Sequence, residues 1–202
     1  LTRVTSRVPG LARIANAVMS VAPLRSLAFR IIGLDPRRGM PALQSGTFTA
    51  RARRRNLLAD GVPASASSDP ISEARERDAA PASSMSDSPI LSGPRDPGGR
   101  PYALVWADSF SQTLDDAGAR AVVDVLEVNG FAPIVAPDAC CGLTWITTGQ
   151  LTGAKKHLAS LLGVLAPFAA SGIPIVGVEP SCTAVLRDDL LDLLPEDPRS
   201  AL

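Results

Sequence analysis

Residues 102–136 read YALVWADSFSQTLDDAGARAVVDVLEVNGFAPIVA, and this stretch decides the fold class. Tyr102 to Trp106 is an apolar run of strand length. Asp115 to Asn129 sets Ala121, Val122, Val125 and Leu126 on one helical face and stops at Asn129-Gly130, where glycine tolerates the conformation that closes a helix. Phe131 to Ala136 is a second short apolar run. A strand, an amphipathic helix and a further strand form a unit whose strands lie parallel with a right-handed crossover.

The same punctuation continues toward the carboxyl end. Leu151, Ala154, Leu158, Leu161, Leu162, Leu165 and Phe168 recur at helical spacing, and the run stops at Ser171-Gly172. Pro174 to Val178 is a third strand, after which Ser181 can cap a helix from Cys182 to Leu194. The expectation is an α/β domain over residues 101–197, a small parallel Rossmann-like sheet with flanking helices, ending in a short tail at 198–202.

Toward the amino end the character changes. Residues 60–100 are dominated by Pro, Ala, Ser, Asp and Gly, with Ile90-Leu91 the one short apolar cluster, and read as a flexible linker because they bury too little to offset their ordering entropy. Residues 1–59 read as a basic helical and extended segment. Leu11, Ile14, Val18, Leu24, Leu27 and Ile31 stand at helical spacing with Arg13, Arg25 and Arg30 between them, and Pro23 should divide the run into two amphipathic helices. Leu34 to Pro41 is turn-rich and extended. The cluster Arg51, Arg53, Arg54, Arg55 that follows reads as a solvated run, and without interleaved aromatics it does not point to nucleic acid.

Composition bounds the rest. The 202 residues are 46% hydrophobic with a formal net charge of +0, so the whole-chain balance calls for neither nucleic acid nor an acidic partner. Residues 1–60 nevertheless carry eleven arginines against Asp35 and Asp60, and the remainder is correspondingly acidic. Ile14 to Leu24 is broken by Asn16 and Pro23 and bracketed by Arg13 and Arg25, too short and too polar to span a membrane. Arg3 and Arg7 precede this run as in a signal peptide, but no small-residue cleavage site follows it. The first residue is Leu rather than Met, as expected of a sequence that starts inside a longer reading frame. Three cysteines, two of them adjacent, make a poor disulfide framework and suit a reducing, cytoplasmic compartment.

In open α/β sheets ligands collect beyond the carboxyl ends of the strands. Asp108 follows the first strand, Cys140 and Cys141 the second, and Cys182 the third. Gly142 lets the chain turn tightly beside the adjacent thiols, and Cys182 stands at a helix start, where the dipole favours thiolate. Soft thiolates select iron–sulfur clusters, zinc or copper, and the pattern alone does not choose among them. Three thiolates are one short of the usual four, with Asp108 the candidate within the chain for the remaining position. The alternatives are thiol–disulfide exchange between Cys182 and the adjacent pair, a structural zinc domain, and a cofactor-free assembly module in which the cysteines merely pack.

Trp106-Ala107-Asp108-Ser109-Phe110, Ala119-Arg120-Ala121 through Val125-Leu126-Glu127, Cys140-Cys141-Gly142 and Gly177-Val178-Glu179-Pro180-Ser181-Cys182 with Arg187-Asp188 together resemble the cysteine-rich CCG domain. That domain occurs in heterodisulfide reductase B-type subunits, in iron–sulfur subunits of glycolate oxidase and anaerobic glycerol-3-phosphate dehydrogenase, and at the carboxyl end of FAD-linked D-lactate or 2-hydroxyglutarate dehydrogenases. The likeness covers about half the chain, and Leu34-Asp35-Pro36-Arg37-Arg38 extends it weakly toward the amino end. It implies Cys140, Cys141 and Cys182 as ligands of an iron–sulfur cluster of the 4Fe-4S kind. It further implies FAD on a missing upstream domain or partner dehydrogenase subunit, and an electron acceptor at the inner face of the membrane. Such a chain is an electron relay that does not oxidise a hydroxy acid by itself. It departs from the full motif in having Asp108 where a cysteine is usual, and Val185 where the closing cysteine pair would end.

Other residues are given lesser roles. His157, the lone histidine, follows Lys155-Lys156 and is expected to face solvent. Trp106 and Trp145 are expected to pack near the site, and Glu179 to orient a ligand or accept an amide hydrogen bond.

Overall fold

The central strand β1 (Tyr102–Trp106) pairs in parallel with β2 (Ala132–Val135) on one side and β3 (Ile175–Gly177) on the other, giving the order β2-β1-β3. The register sets Leu104 opposite Ile134 and Ile175, and Val105 opposite Val135 and Val176. The computed structural model describes residues 10–31, 33, 35, 37, 41–63 and 93–201. Most of the expected linker, residues 64–92, therefore lies outside the described residues, as do Arg3 and Arg7.

Helices α1 (Leu11–Ser20), α2 (Ala22–Ile31) and α3 (Phe48–Arg54) precede the sheet. After β1 come α4 (Ser109–Thr113) and α5 (Ala117–Val128); after β2, α6 (Leu143–Thr147) and α7 (Leu151–Ala170); after β3, α8 (Pro180–Arg187) and α9 (Asp189–Leu193). A short 3-10 turn covers Pro198–Ala201. The small parallel sheet flanked by helices is the expected fold.

Side chains alternate across β1 and build a core on each face of the sheet. Leu104 and Trp106 meet Leu158, Leu161, Leu165 and Phe168 of α7, with Val185 and Leu190 behind them. Val105 and Ala107 meet Ala119 and Val123 of α5 and Phe48 and Ala52 of α3. Each fully buried large side chain contributes about 1.5–3 kcal/mol, so both layers depend on β1.

Several elements differ from their sequence reading. The two amino-terminal helices part at Val21, not at Pro23, because proline is tolerated in the first turn of a helix, where its missing N–H has no partner to lose. Of the arginine cluster only Arg51 is drawn out of solvent; Arg53, Arg54 and Arg55 stay exposed, as a solvated run should. Thr47 caps α3 by accepting the Ala50 amide, and the buried pair Phe48 and Ala52 turns the helix onto the sheet. Beyond α3, Leu58 lies parallel to Val135, with the Ala59 amide donating to the Val135 carbonyl at 2.9 Å, so the outer edge of β2 is covered by a rudimentary fourth strand. Arg95 forms a bridge with Pro101, and an added Cβ on Gly93 would stand 2.4 Å from the Gly172 carbonyl oxygen, so the chain from 93 onward packs directly on the domain.

At the carboxyl end the single expected helix is two, broken at Asp188, and its cap is Glu179 instead of Ser181. Pro180 occupies the first turn, which moves the helix start two residues earlier than a Ser181 cap requires. No helix among the described residues is long and apolar enough to cross a membrane.

Candidate functional site

The three strand ends open onto one cavity of about 530 Å³, whose lining includes Asp108, Cys140, Cys141, Trp145, His157 and Cys182. All four residues singled out from the sequence are thus brought to one place. Each arrives there for a local reason.

Asp108 caps α4. Its Oδ1 accepts the Phe110 and Ser111 amides at 2.7 and 3.2 Å, and its Oδ2 accepts the Ser111 hydroxyl at 2.6 Å. Both carboxylate oxygens hold the turn after β1, which gives Asp108 a scaffold role whatever else the cavity binds.

Cys140 and Cys141 are placed by two supports. The Trp106 indole N–H donates to the Ala139 carbonyl at 3.1 Å, pinning the loop to β1 from beneath. Gly142 adopts φ +77°, and a Cβ there would stand 3.2 Å from the His157 Cβ and 3.3 Å from the Ala154 carbonyl oxygen. Conformation and close approach both require glycine, so the loop can lie flat against α7.

Cys182 sits in the first turn of α8. Glu179 accepts its amide at 2.7 Å and the Ser181 hydroxyl at 2.6 Å. The amide bond anticipated for Glu179 is thus present, and these two donors hold the Glu179 carboxyl below the usual carboxylate range. Thr183 approaches so closely that a Cβ on Gly177 would stand 2.1 Å from its hydroxyl oxygen, which seats α8 on the end of β3.

The thiols meet across the cavity. Cys141 Sγ lies 3.0 Å from Cys182 Sγ, and all three cysteines are free. The Cys140 thiol is pushed far up, first by its contact with Cys141 and then by burial. For Cys141 the contact with Cys140 favours ionisation, but the Cys182 contact and burial outweigh it and raise the thiol to about 11. Neighbouring sulfurs in a half-dry cavity resist carrying several negative charges unless a cation shares them.

That environment fits a soft, positively charged centre by donor type. Two thiolates on one tetrahedral metal with bonds of about 2.3 Å stand roughly 3.8 Å apart, so the Cys141–Cys182 pair would open by a fraction of an ångström to bind one. As they stand, no three His, Cys, Asp or Glu side chains among the described residues form a group that could hold a metal ion.

His157 does not face open solvent. It is half-buried, lines the cavity, and packs on Trp145 with ring centroids 4.0 Å apart. Its position was readable, since residues 154, 157, 158 and 161 share a helical face and the other three are buried. The preceding Lys155-Lys156 obscured it. Thr144 also lines the cavity, and nothing in its local sequence marks it; Ser109, which lines it too, lies in the stretch that carries the resemblance.

The arginine cluster divides. Arg51 pairs with Asp116 at 2.6 Å, Arg55 reaches Glu127 at 3.5 Å, and Arg53 and Arg54 line a separate, wider cleft of about 970 Å³ beside α7.

The chain matches no protein-family model, no curated protein and no solved structure.

Proposed function

We propose that this chain is the iron–sulfur electron-transfer module of a FAD-linked 2-hydroxyacid dehydrogenase, passing electrons from flavin on a partner domain or subunit to an acceptor. The observation that carries this reading is the convergence of Cys140, Cys141 and Cys182, from the ends of two different strands, on one cavity. The chemistry that such a centre supplies when bound is one-electron exchange at a potential set by its ligands, hydrogen bonds and exposure.

The chain's own residues would supply position and environment. Cys140, Cys141 and Cys182 would hold the centre. The Cys182 amide is already committed to Glu179, which fixes the thiol's approach, and Trp145 with Phe110 and Leu143 gives the cavity apolar walls that limit water. Asp108 keeps the turn after β1 in place.

The amino-terminal helices support a docked partner. Ile14, Leu27 and Ile31 are 62%, 58% and 76% exposed, and the described residues from Gly10 to Ile31 include Arg13, Arg25 and Arg30 but no acid. An apolar, cationic face of this kind suits a dehydrogenase surface with carboxylates at its rim.

The test is anaerobic reconstitution of the purified chain with ferrous iron and sulfide, followed by iron and acid-labile sulfide analysis and visible absorption. Retention of both, lost in Cys140→Ser and Cys182→Ser, is the expected result. A wild-type chain that retains no iron, or variants that retain as much, would remove the assignment. Zinc retained in place of iron, without visible absorption, would make the site structural.

A further inference from the structure

The 3.0 Å separation of Cys141 Sγ and Cys182 Sγ is about 1 Å longer than a disulfide bond. The two residues come from different elements, Cys141 from the loop after β2 and Cys182 from the first turn of α8 after β3, so joining them leaves the backbone between neighbouring residues untouched. Cys140 is differently placed. It adjoins Cys141 in the chain and its thiol also contacts Ser109, and a bond between adjacent cysteines closes an eight-membered ring that strains the planar trans peptide inside it.

We propose that Cys141 and Cys182 form a dithiol–disulfide couple that closes on meeting a small-molecule disulfide of the glutathione type, while Cys140 remains a thiol. Exposure sets the order of events. Cys141 is 3% exposed, whereas Cys182, which also lines the cavity, is only partly buried and is the member of the pair that an external disulfide reaches first. The Cys182 thiolate attacks one sulfur of the external disulfide; that bond breaks and one small thiolate departs with the electron pair. Cys141 then gives up its proton and attacks the Cys182 sulfur, expelling the second small thiolate. Both thiolates take up the protons released, so two protein thiols are oxidised and one external disulfide is reduced to two thiols.

Closure withdraws two of the three sulfur donors from the cavity. The disulfide stands on the geometry alone, and only this consequence for loading a centre rests on the function proposed above.

The experiment uses the full chain without added metal, incubated with oxidised glutathione, alkylated, digested without reduction and mapped by mass spectrometry. The expected product is one cross-link between the peptides bearing Cys141 and Cys182, lighter by two hydrogens and reversed by dithiothreitol, with fragment spectra placing the alkyl group on Cys140. The cross-link should persist in Cys140→Ser, which leaves both partners in place. A Cys140–Cys182 or Cys140–Cys141 bond, a stable glutathione adduct on Cys182, or three alkylated thiols would overturn the proposal. A chain that binds iron and never cross-links refutes this inference alone, and one that cross-links but retains no iron refutes only the electron-relay reading.

Discussion

Arg51 donates its Nε to Asp116 Oδ2 at 2.6 Å, and Arg120 donates to the other carboxylate oxygen at 3.1 Å. The Asp116 side chain is only 5% exposed, so this contact ties α3 to the start of α5 through a carboxylate with almost no access to water. Burial by itself would raise the Asp116 pKa, but the hydrogen bond and charge of Arg51, with help from Arg120, hold it below the usual range. Asp116→Ala should cost about 2 kcal/mol at neutral pH, less than a fully buried pair because both arginines retain some water. Urea denaturation monitored by circular dichroism measures this directly.

The same pair has a signed pH dependence. A carboxyl whose folded-state pKa lies below its unfolded value stabilises the fold above the unfolded value, and that stability disappears as pH falls through the folded one. The gap between wild type and Asp116→Asn should therefore be full at pH 7 and narrow below about pH 4. Urea midpoints for both proteins across that range check the sign; a gap that widens on acidification would be the wrong one.

Gly142 and Gly149 both have positive φ, +77° and +74°, yet only Gly142 has neighbours within reach of an added Cβ. Gly149→Ala should cost about 1 kcal/mol from backbone conformation alone. Gly142→Ala should cost about 1 kcal/mol more, because His157 and the α7 backbone must also give way. Thermal melts of the two variants side by side separate the contributions.

Trp106→Phe removes the hydrogen bond that ties β1 to the Ala139 carbonyl while keeping an aromatic ring in the core. A loss of about 1–3 kcal/mol is expected from the unpaired carbonyl. The loop above should also loosen, so Cys141 should be alkylated faster than in the wild type when followed by mass spectrometry under native conditions.

Glu179→Ala deletes the acceptor for the Cys182 amide and the Ser181 hydroxyl. The expected cost is about 1 kcal/mol, as for other amino-terminal caps, and Glu179→Gln should recover most of it by keeping an acceptor oxygen. Equal losses in the two variants would show that the charge, and not the cap, stabilises α8.

What could be read in the chain was read from repetition. The spacing of Leu158, Leu161, Leu162 and Leu165 places a buried face on one long helix, and the apolar runs at 102–106 and 131–136 have the length of strands. Cys140-Cys141-Gly142 stood out because adjacent thiols before a glycine suit few packing arrangements. Helices α4 and α6, with five residues each, carry no detectable period. The role of α3 is hidden for another reason. Its four neighbouring arginines looked like a solvated run, and only Asp116, sixty-five positions later, gives Arg51 somewhere to go.

The linear pattern of apolar residues settles which segments must be buried, and hence an alternation of strands and helices that admits little besides a parallel sheet. Burial periodicity is a local property, and it survives in a linear string. The meeting of Cys141 with Cys182 and the capture of Arg51 by Asp116 were decided only when the chain closed on itself. Each depends on distances between residues far apart in sequence, set by how β1 aligns with its two neighbours, and no local pattern carries that register.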